Sequence, residues 1–283
     1  MHLTTLPKFS ILLLFTVLSC THSSMFTITN NCPFTMAWNP SRFRDTTTSN
    51  NRVSTRLWSE SKDSNSSRVV WIWARTGCNF DESGIGTCQT GDCGGRLECD
   101  GVGATPPASL FEITLGQGTD KDFYDVSIVD GYNLPLIVAP RGQCGVCNVT
   151  GCSSDINMAC PKELQVVDAD REDGGVVACK SACEAFGLDQ YCCSGEFANP
   201  TTCQPSYSTI FKRACPRAYS YAFDDGSSTF TCKGFDYAIV FCSTINDGMK
   251  RSDSTFTNPS IQEHGNGEVM GITSSSTMLL PLP

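Results

Sequence analysis

Apolar and polar side chains alternate in several short stretches of this chain, which is the pattern of strands with one buried face. The alternation predicts six strands, at residues 26–30, 69–74, 110–115, 123–129, 136–138 and 237–242. Only residues 178–186 have the pattern of a short helix. The sequence therefore predicts a mainly β, mainly antiparallel protein.

The two ends of the chain have different patterns. Residues 1–23 contain Lys8, then an apolar run too short to cross a bilayer, then small polar residues, which is typical of a secretory signal peptide. Residues 244–283 contain no cysteine and are mostly Ser, Thr, Asn and Gly, so we predict a disordered tail.

Cysteine usage indicates an oxidising compartment. Residues 84–99 hold three cysteines and five glycines and almost no apolar side chain, so disulfides must give this segment its shape. The chain has 18 cysteines in all. Since Cys20 lies in the predicted signal peptide, 17 remain, and an odd number leaves one cysteine over.

Charge and histidine content exclude several classes of function. The formal net charge is -9 and there is no basic patch, so we expect no nucleic-acid partner. The three histidines are His2, His22 and His264, all outside the predicted folded part. This excludes a catalytic Ser-His-Asp or Cys-His centre and a histidine-ligated zinc site, and we expect no metal and no cofactor.

Several motifs between residues 24 and 243 resemble those of thaumatin-like proteins, the plant pathogenesis-related family. They are the run Gly84 to Cys99, Asn31-Cys32-Pro33, Trp73-Ala74-Arg75-Thr76-Gly77-Cys78, Asp122 to Pro135, Tyr191-Cys192-Cys193, and Phe211 to Pro216. The resemblance implies the thaumatin fold: a flattened antiparallel β-sandwich (24–75, 108–153 and 217–243), a cysteine-rich second domain (154–216) and a small disulfide loop domain (76–107).

The family pattern also implies eight disulfides. They are Cys32–Cys242, Cys78–Cys88, Cys93–Cys99, Cys147–Cys232, Cys152–Cys215, Cys160–Cys179, Cys183–Cys192 and Cys193–Cys203. Cys144 has no partner in this pattern, and we expect a free, dimer-forming or capped thiol. The alternative, a redox dithiol of Cys144 and Cys147, lacks the surrounding βαβ unit of a thioredoxin.

Family members with antifungal or glucanase behaviour have an acidic cleft lined by one Arg, one Glu and three Asp. By motif, the acids here are Glu112, Asp125, Asp130 and Asp224, and Trp71 stands in the place of the Arg. An Arg would lower the pKa values of the acids and orient a sugar hydroxyl, and we expect Trp71 to do neither. The cleft should then be more negative, with at least one acid whose pKa is raised by repulsion.

Three of these residues, Glu112, Asp130 and Trp71, also have a simpler interpretation. Glu112 lies opposite the apolar face of its strand, as an ordinary solvated residue would, and Asp130 precedes a glycine, as a turn former would. Strict alternation places Asp125 and Asp130 on opposite faces unless the strand ends or bulges between them. Trp71 is either a sugar-stacking residue or one of a pair with Trp73, in which one ring is in the core and the other on the surface.

The function implied by the resemblance is plant defence. We expect an antifungal protein that binds β-1,3-glucan or another cell-wall polysaccharide in the acidic cleft. Weak endo-β-1,3-glucanase activity, with Glu112 as acid and Asp130 as its partner, is an open alternative. Another is a non-catalytic defence or stress protein that acts on fungal membranes or on a protein partner.

The processing signals agree with secretion. Asn65 and Asn148 lie in glycosylation sequons, with Asn65 favoured because its loop is polar. We expect a monomer in the apoplast, or in the vacuole if the tail is a sorting signal.

Overall fold

The computed structural model describes residues 24–33, 43–49, 52–57, 68–117, 120–142, 147–169, 174–203 and 206–243. The predicted signal peptide, the predicted tail, Asn65 and Cys144 lie outside the described residues. Within these ranges the chain is mainly β, which confirms the predicted fold class.

Strands make up most of the regular structure in the described ranges. In chain order they are β1 (Met25–Asn30), β2 (Phe43–Ser49), β3 (Arg52–Leu57), β4 (Arg68–Trp73), β5 (Asn79–Phe80), β6 (Gly86–Thr87), β7 (Leu110–Leu115), β8 (Asp122–Ser127), β9 (Leu136–Gly142), β10 (Thr150–Cys152), β11 (Gln165–Val167), β12 (Val176–Cys179), β13 (Phe230–Cys232) and β14 (Gly234–Phe241). The six predicted strands are thus present, with ends that shift by at most four residues.

Two larger sheets form the sandwich. One has six strands in the order β10-β9-β14-β1-β3-β2, and the other has four in the order β13-β8-β7-β4. The pair β1 and β14 is parallel, whereas the four-stranded sheet is antiparallel throughout. Two small hairpins, β5-β6 and β11-β12, lie outside the sandwich.

The core lies between the apolar faces of the two larger sheets. Phe26 and Tyr237 come from the six-stranded sheet and Phe111 and Tyr124 from the four-stranded sheet, and all four are at most 1% exposed. The rings of Phe26 and Phe111 are 6.5 Å apart, and those of Tyr124 and Tyr237 are 5.8 Å apart, measured between centroids. Apolar burial and ring contacts of this kind are the main favourable term that holds the two layers together.

Among the described residues, eight disulfides connect the layers and loops. The bonded pairs are those that the family pattern implies: Cys32–Cys242, Cys78–Cys88, Cys93–Cys99, Cys147–Cys232, Cys152–Cys215, Cys160–Cys179, Cys183–Cys192 and Cys193–Cys203. Cys32–Cys242 closes a separation of 210 residues and joins the ends of β1 and β14. Long closed loops of this kind restrict the unfolded chain most.

The helix prediction was wrong in extent and in number. Its first residues belong to strand β12, and helix α1 (Ala182–Phe186) begins only after Ser181, whose hydroxyl accepts from the Glu184 amide. The other short helices in the described ranges are α2 (Asp189–Cys192), α3 (Ser208–Ala214) and α4 (Asp225–Ser228), with 3-10 turns at Ile156–Ala159, Lys162–Leu164 and Gly195–Phe197. Such short helices are held by disulfides and tertiary packing, which leave little periodicity in the sequence.

Candidate functional site

Three side chains form a row across the outer face of the four-stranded sheet. Glu112 on β7 is directly opposite Trp71 on β4 and Asp125 on β8. Their neighbours in sequence, such as Phe111 and Val126, point into the core. Side chains directly opposite each other on antiparallel strands have Cβ atoms about 5 Å apart, so the two carboxyls are close neighbours.

Both carboxyls of this row have raised pKa values. Burial raises the pKa of Glu112, and repulsion from Asp130 raises it further. Burial also raises the pKa of Asp125 well above its ordinary value, with repulsion from Glu112 and from Asp225 in addition. Repulsion therefore contributes as expected, but loss of water is the larger cause.

Trp71 has a role that the sequence argument did not foresee. Its side chain is hydrogen-bonded to Glu112 and thereby lowers the pKa of that carboxyl, against the effects of burial and repulsion. The expectation that Trp71 would not lower any of these pKa values was wrong, because the indole N–H is a hydrogen-bond donor. Trp71 nevertheless supplies no positive charge, and its side chain is 47% exposed.

Asp130 reaches the same site from a loop. Strand β8 ends at Ser127, before Asp130, so strict alternation does not continue to that residue. Gly131 then turns the chain with φ +88°, and a Cβ at this position would lie 2.5 Å from Pro107. Asp130 is exposed to solvent, yet the protein around it removes enough water to raise the pKa of its carboxyl. We call Glu112, Asp125 and Asp130 the acidic cluster.

Asp224 does not take part in the repulsion that raises the pKa values of Glu112 and Asp125. It is 8% exposed, and one of its oxygens accepts from the Lys212 ammonium at 2.8 Å and from the Ser220 amide and hydroxyl at 3.0 Å each. Its neighbour Asp225 is exposed, accepts from the Tyr219 hydroxyl at 2.8 Å and repels Asp125. The structure thus places Asp224 in a buried ion pair and Asp225 towards the acidic cluster.

Sequence reasoning missed a further acid, Glu184 on helix α1. Burial raises its pKa, Lys180 at 4.0 Å lowers it, and repulsion from Asp130 raises it again. Its buried Oε2 atom has no hydrogen-bond partner within the described part of the chain. The pattern Ser181-x-x-Glu184 is that of a helix capping box, and it could have drawn attention to this residue.

A cavity of about 330 Å³ lies between the loop that follows β8 and the cysteine-rich segment, residues 154–216. Asp130 and Glu184 line it together with Tyr191, Tyr207 and Tyr221. The rings of Tyr191 and Tyr207 are 5.6 Å apart between centroids. A concave site with apolar walls and a few acids suits an uncharged polar ligand of modest size.

The small disulfide loop covers one end of the outer sheet face. Trp73, two residues from Trp71 on the same face, is 3% exposed and packs against Cys93 and Cys99. Its indole N–H donates to the Gly91 carbonyl at 2.9 Å. Arg75 is fully buried and its guanidinium donates to the Arg96 and Leu97 carbonyls. The loop therefore ends beside the row of Trp71, Glu112 and Asp125 and leaves that row accessible.

Three other features bear on function. Asn148, in a glycosylation sequon, is exposed. Within the described ranges, no group of three His, Cys, Asp or Glu side chains could hold a metal ion. No helix formed by the described residues has the length and apolar character needed to cross a membrane.

Comparison with known proteins places this chain among plant relatives. The family model described as "Thaumatin family" matches residues 30–243. "Thaumatin-like protein 1" of Castanea sativa is 47% identical over 244 residues, which are 84% of this chain and 98% of that protein. "Pathogenesis-related protein 5" of Arabidopsis thaliana is 59% identical over 172 residues, which are 60% of this chain and 70% of that protein. Among solved structures, a laminaripentaose-producing β-1,3-glucanase in complex with laminaritetraose covers 77% of this chain and 98% of its own, with 11% identity and a TM-score of 0.49.

Proposed function

The chain belongs to the thaumatin family, and we propose that it is a secreted plant defence protein that binds fungal β-1,3-glucan through its acidic cluster. The observation that supports this most is the convergence of Glu112, Asp125 and Asp130 beside an exposed Trp71. The relatives include proteins named as pathogenesis-related, and we extend that role to this chain.

The chemistry of the acidic cluster suits a neutral polyhydroxylated ligand. Carboxylates accept hydrogen bonds from sugar hydroxyls, and a carboxyl that keeps its proton can also donate one. Raised pKa values at Glu112 and Asp125 keep protons on this pair to higher pH than usual. An anionic polymer would be repelled by the same groups and by the net charge of -9.

Weak hydrolysis is the second candidate function, and the raised pKa of Glu112 favours it. Cleavage of a glycosidic bond needs a protonated acid and an ionised partner on either side of the bond. In this proposal Glu112 protonates the leaving oxygen, while Asp130, which is open to solvent, ionises and acts as base or nucleophile. Asp125, the third member of the acidic cluster, is then either protonated or negatively charged.

Secretion is part of the proposal. The eight disulfides suit an oxidising compartment, and we propose that residues 1–23 direct the chain to the apoplast, or to the vacuole if residues 244–283 act as a sorting signal. We also propose that the folded chain divides into a sandwich, a cysteine-rich domain at 154–216 and a disulfide loop domain at 76–107.

The test is depletion of the oxidised protein from solution by insoluble β-1,3-glucan, together with a count of the reducing ends released. Depletion supports glucan binding, and new reducing ends in addition support hydrolysis. For a hydrolase, Glu112→Gln abolishes the release of reducing ends and leaves depletion intact, whereas substitution of an exposed acid, Glu98→Gln, changes neither. If the wild-type protein stays in solution, the proposed function is wrong.

A further inference from the structure

Three large apolar side chains are exposed on the same outer sheet face that carries Glu112 and Asp125. The exposed fractions are 47% for Val69, 47% for Trp71 and 56% for Phe123. Strand register places them together: Val69 is opposite Thr114 on β7, and Thr114 is opposite Phe123 on β8. We call Val69, Trp71, Thr114 and Phe123 the apolar platform.

The apolar platform begins at the acidic cluster and extends away from it. Trp71 is in register with Glu112, while Phe123 lies two strands across and two residues along the sheet from Trp71. With usual strand spacing and rise, the Cα atoms of Trp71 and Phe123 are about 12 Å apart. One long ligand can therefore contact both aromatic rings, whereas a short ligand beside Glu112 cannot reach Phe123.

Among the described residues, those that cover the rest of this face leave the platform open. The small disulfide loop packs on Trp73 at the opposite end, beyond the row of Trp71 and Glu112. Exposed aromatic and branched side chains grouped on one sheet face are uncommon on a soluble protein and mark contact sites. Their continuity with the acidic cluster indicates one extended binding surface.

The neighbouring charges identify the chemistry of the partner. The carboxyls of Glu112 and Asp125 border the platform and disfavour nucleic acids, anionic polysaccharides and anionic lipid surfaces. Pyranose rings have an apolar face of C–H groups that fits the electron-rich face of Trp and Phe, and hydroxyl groups at the ring edge that can donate to carboxylates and to Thr114. A neutral polysaccharide chain satisfies both parts of the surface.

We propose that the apolar platform binds the continuation of the glucan chain whose other end occupies the acidic cluster, so that the protein selects long chains over short oligosaccharides. This inference rests on the proposed function. It adds a subsite at Phe123 in which ring stacking, rather than the acids, supplies the contact.

The test is isothermal titration calorimetry with a β-1,3-glucan disaccharide and a hexasaccharide. Phe123→Ala should raise the Kd for the hexasaccharide about tenfold and leave the Kd for the disaccharide unchanged, since a well-buried aromatic contact has about this effect. Trp71→Ala should weaken both ligands. The matched control is Phe235→Ala, because Phe235 is 45% exposed but lies on β14 of the other sheet. Phe123, Trp71 and Phe235 are all exposed, so each variant should keep the wild-type Tm. A Tm measurement therefore verifies that each variant is folded.

Each other outcome overturns a defined part of the proposal. If the wild-type protein binds neither sugar, the proposed function fails and the platform with it. If the wild-type protein binds the hexasaccharide and Phe123→Ala binds it equally well, the platform is wrong while glucan binding stands. If Phe123→Ala dissociates a dimer in sedimentation and leaves both Kd values unchanged, the face pairs two copies of the chain instead.

Discussion

Replacing Asp125 by Asn should stabilise the folded protein at neutral pH. Asp125 is half-buried, directly opposite Glu112, and repelled by Asp225 as well. If the Cβ spacing of about 5 Å is taken as the charge separation, two carboxylates repel each other by about 3 kcal/mol at an effective dielectric constant of 20 and by about 1 kcal/mol in bulk water. We therefore expect Asp125→Asn to gain about 1 to 3 kcal/mol in the free energy of unfolding at pH 7.

The raised pKa of Asp125 determines how the stability contributed by this residue changes with pH. Because the folded state raises the pKa of Asp125, the folded chain holds this proton when the unfolded chain has lost it. Stability from this group is therefore fully present below the unfolded pKa of about 4 and is lost as pH rises through the folded value. The benefit of Asp125→Asn should be near zero at pH 3 and should grow towards pH 7.

The assay is guanidinium unfolding with disulfides intact, at pH 3 and pH 7, on the wild type, Asp125→Asn and a control, Asp120→Asn. Asp120 is exposed and lies in the loop before β8, so its substitution should change stability by less than about 0.5 kcal/mol at either pH. An Asp125→Asn variant that is less stable than the wild type at pH 7, or equally shifted at both pH values, would refute the reasoning.

Two further predictions concern the scaffold, both measured by guanidinium unfolding at pH 7. Lys212→Met should lower the free energy of unfolding by about 2 to 3 kcal/mol, because it leaves the Asp224 carboxylate buried without its cation. The control, Lys162→Met at an exposed 3-10 turn, should leave the free energy of unfolding unchanged. An equal effect of the two substitutions would contradict the role of the ion pair. Cys32→Ser with Cys242→Ser should cost about 2 to 5 kcal/mol because the bond closes a separation of 210 residues; a loss below 1 kcal/mol would mean that the unfolded chain is restricted mainly by the other bridges.

The sandwich strands could be predicted because their alternation follows directly from a face packed on the core. Along β7, Phe111 and Ile113 are buried while Glu112 faces outward, as a period of two requires. Short helices were harder. In α3 only Phe211 is fully buried, so no apolar stripe distinguishes that segment from a loop.

The acids could be identified singly but not assembled. Alternation predicts the face that Glu112 occupies, but a register shifted by two residues keeps the same face. The pairing of Glu112 with both Trp71 and Asp125 therefore needed the structure. Adjacent residues can also have different surroundings. Helix α4 begins at Asp225, whereas Asp224, just before it, turns inward and pairs with Lys212. A sequence motif cannot determine which of two consecutive aspartates faces the acidic cluster and which is buried in an ion pair.

The effect of Trp71 on Glu112 needed the structure for a different reason. Comparing Trp with Arg by charge alone predicts no effect on a carboxyl, but the indole N–H lies within hydrogen-bonding reach of Glu112. Glu184 was missed because its proximity to Asp130 depends on how the cysteine-rich segment packs against the loop after β8.

The most direct test of glucan binding by the acidic cluster is calorimetric titration of a β-1,3-glucan hexasaccharide into a triple variant, Glu112→Gln with Asp125→Asn and Asp130→Asn. A charge-matched control neutralises three exposed acids outside the cluster, Glu82, Glu98 and Asp120. If the acidic cluster contacts the sugar, the triple variant loses at least about a hundredfold in affinity, as expected for several charge-assisted hydrogen bonds lost together, while the control binds like the wild type. Equal affinity of the triple variant and the wild type would contradict the assignment of the cluster as the binding site.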